Sequence, residues 1–134
     1  MVPVPVTLAA GAAAVFVNMW LGWRISRLRY ELRVTVGDGG QEPLIRRMRA
    51  QANFIENTTL FLFLLGALEL SGGNRLALGT IAAAFMLARI AHGVGMDGPH
   101  LVRWRMVGMM TTVAAMVALS LWAIVCAVES LLGR

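Results

Sequence analysis

Apolar positions fall into four long blocks separated by short polar segments, and each block is long enough to cross a bilayer as a helix. The first covers about residues 4–33. It is apolar to Trp23 apart from Thr7 and Asn18, then mixes Arg24, Arg27, Arg29, Tyr30, Glu31 and Arg33 with apolar residues at helical spacing. Gly11, Ala12, Ala13 and Ala14 give it a small-residue face for close packing. The glycine-rich segment 36–40 breaks it. Pro43 suits a first helical position, so the second helix is predicted over about 43–70, through Arg46, Arg47 and Arg49 into the apolar stretch from Leu60 to Leu70. Residues 71–74 form a turn so short that helices two and three must be antiparallel neighbours. The third helix is expected over about 75–96, stopped by Asp97, Gly98 and Pro99, and the fourth over about 101–131. The pattern predicts one domain over 1–134, an all-α integral membrane four-helix bundle without internal repeats.

Composition supports this reading. Of 134 residues, 58% are hydrophobic and only 14% charged, more apolar than a soluble domain of this length can bury, so lipid must cover much of the surface. The net charge is +5 and all twelve basic residues are arginine. Codon usage and membrane-flanking charge are the plain explanation; the planar fork that grips carboxylates and phosphates is the functional one. Seven arginines (Arg24, Arg27, Arg29, Arg33, Arg46, Arg47, Arg49) flank the first loop, and Arg103 and Arg105 flank the third, whereas the second has only Arg75. The positive-inside rule makes the arginine-rich side cytoplasmic, with both termini outside the inner membrane. The N-terminal block carries no basic residue before its apolar run and reads as a retained span. Cys126 is the only cysteine and reads as a buried, inert thiol.

Charged side chains close to hydrocarbon are costly and usually face the bundle interior or mark a function. On helix two, Arg49, Asn53 and Glu56 are spaced by four and three, so they share a face, with Arg46 about a turn earlier; Gln51 points elsewhere. Helix three carries Arg89 and His92 on one face near the same membrane side, and helix four begins with Arg103 and Arg105. An anionic ligand would relieve the mutual repulsion of this cluster. Each of Arg46, Arg49, Arg103 and Arg105 also fits an interfacial anchor that snorkels to lipid phosphate. Arg89 and Glu56 also fit an interhelical ion pair, and His92 a hydrogen-bonded packing residue. His100 is expected in solvent, and Trp20, Trp23, Trp104 and Tyr30 at the interface.

The string Arg49, Gln51, Asn53, Glu56 resembles the arginine-x-glutamine-x-asparagine-x-x-glutamate signature of the MAPEG family, the membrane-associated proteins in eicosanoid and glutathione metabolism. The stretch around Arg89, His92, Gly95 and Met96 resembles that family's third helix, and the likeness extends over essentially the whole chain. The resemblance implies a homotrimer binding glutathione between subunits near the cytosolic face. It implies Arg49, Asn53 and Glu56 as glutathione-binding residues, Gln51 as a weaker candidate because its helical face differs, and Arg89 and His92 as ligand-lining positions; Arg46 joins the candidates by its place a turn earlier on the same face. It also implies a thiol-activating arginine at the start of helix four, either Arg103 or Arg105. The leukotriene-synthase branch carries tyrosines where this chain has Asn57, His92 and Met96, and Asn57 is similar to the microsomal glutathione transferase branch. The expected function is therefore a membrane glutathione transferase or peroxidase. It would use glutathione as co-substrate without a metal, act on lipophilic electrophiles arriving from the bilayer, and take part in detoxification; no nucleic acid partner is expected. The alternatives are a non-catalytic lipid- or thiol-binding relative and a small multidrug exporter. The exporter is disfavoured because helix one has no membrane-embedded carboxylate.

Overall fold

The computed structural model describes residues 3–133 and holds four long helices: α1 (Pro5–Leu32), α2 (Glu42–Leu70), α3 (Arg75–Gly95) and α4 (Val102–Leu131). A single 3-10 turn, Pro99–Leu101, precedes α4, so α4 begins one residue later than its apolar pattern suggests. α2 starts one residue before Pro43, which occupies its first turn, where a missing N–H costs nothing. At ~1.5 Å per residue the 21-residue α3 just spans a ~30 Å hydrocarbon core. α1, α2 and α4, at 28 to 30 residues, extend beyond it.

α1 packs on α2 and α3, and α4 packs on the same two helices; among the described residues α1 and α4 do not touch. The core is built by Phe61 and Phe85, which stack with ring centroids 3.8 Å apart, together with buried Leu65, Leu68, Leu78 and Leu119. Large apolar side chains such as Phe16, Phe63, Leu76, Leu87 and Leu121 point outward. In water that surface would be untenable; in a bilayer it is the lipid-facing coat of an all-α membrane bundle.

Two glycines let α3 and α4 approach closely. A Cβ on Gly108 would lie 2.5 Å from the Ala88 carbonyl oxygen and 2.6 Å from the His92 nitrogen, and one on Gly95 would collide with the backbone of Arg105. This seam sets α4 against the polar end of α3.

At the opposite end of the bundle, Glu69 departs from the expected apolar stretch. Its side chain is fully buried and accepts hydrogen bonds from Val6 N (2.9 Å), Thr7 N (2.8 Å) and Thr7 Oγ1 (2.7 Å). These are first-turn donors of α1 that have no partner within their own helix, and the carboxylate also meets the positive end of the helix dipole. A distant residue thus supplies the cap that Val4 cannot. Asn74 caps α3 locally, accepting from Ala77 N at 3.0 Å.

Candidate functional site

Arg89 is the centre of the polar cluster. It lies on the inward face of α3 and is only 1% exposed. Its Nη2 donates to Asn53 Oδ1 on α2 at 2.7 Å, and its Nη1 donates to Thr112 Oγ1 on α4 at 3.3 Å. The Thr112 hydroxyl in turn donates to the Gly108 carbonyl at 2.7 Å, which leaves its oxygen lone pairs to receive Arg89. His92, one turn along α3, approaches the guanidinium through Nδ1 at 3.4 Å; arginine has only donors, so Nδ1 serves as the acceptor. One side chain therefore ties three helices together.

The guanidinium charge remains uncompensated. Among the described residues no carboxylate forms an ion pair with Arg89, and its buried Nε has no hydrogen-bond partner. The expected Arg89 and Glu56 pair does not form in the chain. The reason is angular: Glu56 is three residues past Asn53, about 60° around the helix, and lies on the exposed side while Asn53 takes the inward position.

The other predicted positions spread around this centre. Gln51 turns to α1, where its amide donates to Asn18 Oδ1 at 3.2 Å. Arg46 is half-buried and bonded to Glu42 at 2.6 Å. Arg49, Glu56, Arg103 and Arg105 are exposed and have no partner among the described residues. The structure thus brings Asn53, Arg89 and His92 together inside one chain. It leaves Arg49, Glu56 and the two α4 arginines at the surface.

A second network lies outside the positions that helical spacing and the family resemblance point to. Asp97, in the loop that stops α3, pairs with Arg24 of α1 and accepts from Arg47 Nε of α2 at 3.0 Å. Arg24 also donates to the Gly93 carbonyl at 3.1 Å, Arg47 donates to the Arg24 carbonyl at 2.9 Å, and the Arg24 guanidinium stacks 4.5 Å from the centroid of Trp20. The elbow between α3 and α4 is therefore braced to both N-terminal helices. The available signal was an acid in a loop facing seven arginines. Thr112, hidden in an apolar run, carried none.

A family model described as MAPEG family matches residues 7–125, which contain both networks. The chain is also similar to proteins named inner membrane protein YecN from Escherichia coli K12 and from E. coli O6:H1 strain CFT073. Each is 30% identical over 107 residues, covering 78% of this chain and 81% of the relative.

Proposed function

The chain belongs to the MAPEG family, and from that premise we propose that it is a membrane-bound glutathione transferase that also reduces lipid hydroperoxides. The observation that carries this reading is Arg89: a buried guanidinium with an unsatisfied Nε and no carboxylate partner among the described residues. A buried charge in that state favours an anion beside it. Asn53, Glu56, Arg49, Arg46 and Gln51 on α2 and His92 on α3 are assigned to holding glutathione. The exposure of Arg49, Glu56, Arg103 and Arg105 supports a site completed between copies of the chain in a homotrimer, on the cytoplasmic side of the inner membrane, with both termini outside.

The chemistry needs charge placement. A free cysteine thiol ionises near pH ~8.5, and a fixed guanidinium beside the sulfur lowers that value. The thiol proton leaves to solvent, and Arg103 or Arg105 stabilises the thiolate. The sulfur then forms a bond to an electrophilic carbon while that carbon's leaving group departs with the bonding pair. With a lipid hydroperoxide, two glutathiones give one disulfide, the alcohol and water. Positioning and electrostatics supply the rate gain. A thiol- or lipid-binding relative without turnover is the second reading: the buried Arg89 charge would hold an anion equally well without turnover, and Arg103 and Arg105 do not decide between the two.

Purified protein in bilayers is expected to conjugate glutathione to a lipophilic aryl halide. Arg49→Ala should raise the glutathione concentration for half-maximal rate by about tenfold or more, the scale of a lost hydrogen bond to a charged group. Absence of conjugate with a range of electrophiles overturns the enzyme reading, and an unchanged glutathione requirement removes Arg49 from the site.

A further inference from the structure

A cleft of about 350 Å³, separate from the Arg89 cluster, is lined by Trp20, Trp23, Arg24, Arg27, Glu31 and Arg47. We infer that it is a binding site for the phosphate of an anionic phospholipid in the cytoplasmic leaflet. Glu31 lines the cleft and Asp97 bridges Arg24 and Arg47, so three guanidiniums meet two carboxylates and one positive charge is left over. The donors are graded. Arg24 is 7% exposed and held by Asp97 and the Gly93 carbonyl, and so supplies a fixed charge. Arg47 keeps Nη2 unbonded among the described residues. Arg27 is bonded only through Nε to Glu31, a surface pair that a phosphate can displace, and lies 5.7 Å over the Trp23 ring. Trp20 and Trp23 both line the cleft, and neither indole N–H has a partner among the described residues.

Position selects the occupant. Phe16, Trp20, Trp23 and Arg27 follow one another at spacings of four, three and four, so they form a continuous stripe on α1. Phe16 is 72% and Trp23 57% exposed, which places apolar surface for an acyl chain directly beneath the charged cleft. Tryptophans at such a boundary sit at headgroup level, and basic pockets between helices on this side are suited to anionic headgroups. A soluble anion would use the arginines and gain nothing from the stripe.

The test uses the full-length protein in nanodiscs of equimolar phosphatidylglycerol and phosphatidylcholine with matched chains. Retained lipid is counted by native mass spectrometry, and the thermal midpoint is recorded for every variant. Wild type should retain phosphatidylglycerol over phosphatidylcholine by about fivefold or more. Arg27→Gln should lower that ratio by about the same factor, Arg27→Lys should keep most of it, and Arg33→Gln, outside the cleft, should leave it unchanged. Equal retention of the two lipids by wild type overturns the proposal, as does an equal loss in Arg33→Gln. Soluble glycerol phosphate binding in phosphatidylcholine-only nanodiscs, lost in Arg27→Gln, would give the cleft to a free anion and overturn the lipid assignment.

Discussion

Arg89 owes its character to what surrounds it at atomic distance. Asn53 and Thr112 satisfy part of its fork with neutral oxygens, which orient the guanidinium without cancelling its charge. Asn53→Asp should therefore leave one property nearly unchanged and lower another. An ion pair with Arg89 would hold the thermal midpoint near that of wild type, while glutathione affinity falls because the compensating negative charge is already present. Asn53→Ala should lower stability by ~1–3 kcal/mol, the cost of leaving a buried donor unpaired. Thermal unfolding in detergent and equilibrium binding separate the two; a destabilised Asn53→Asp that binds glutathione normally would contradict this account. The helical spacing of Arg49, Asn53 and Glu56 was visible in the sequence. Which of the three faces α3 was not, because a shared face is broad and only packing decides that Asn53 points in and Glu56 out.

The helices meet through small contacts that polarity patterns do not reveal. Four apolar blocks marked the helices to within a residue or so at each end, since Pro43, the 71–74 turn and Pro99 all act on the local backbone. The helix-capping partners of Glu69, Val6 and Thr7, and the arginine partners of Asp97 lie 50 or more residues away, and no local rule points to them. Gly108→Val should unfold the seam between α3 and α4, because its Cβ alone would lie 2.5 Å from the Ala88 carbonyl oxygen and 2.6 Å from the His92 nitrogen. A clear fall in thermal midpoint, together with loss of the Arg89–Thr112 bond, is the expected result. Asp97→Ala should release the elbow from α1 and α2. Hydrogen exchange should rise across residues 96–101, with Asp97→Asn intermediate, since an amide keeps an acceptor but not the charge. Unchanged exchange in Asp97→Ala would show that Gly95 and Gly108 alone hold the elbow.

At the scale of the whole molecule, one chain presents an apolar coat, an elbow braced to both N-terminal helices and a polar cluster centred on Arg89. Arg103 and Arg105 lie at the start of α4, and the close approach of Gly95 to the Arg105 backbone fixes where that helix begins. Substituting each by alanine should separate their roles: the thiol activator loses thiolate formation yet still binds glutathione, while the other leaves the thiolate intact. The central claim, that the arginines stabilise a glutathione thiolate, is tested most directly by stopped-flow ultraviolet absorbance of the bilayer-embedded protein mixed with glutathione. The account predicts a thiolate absorbance that rises with glutathione, saturates, and is lost in Arg89→Ala. Saturable binding without any thiolate signal would contradict it.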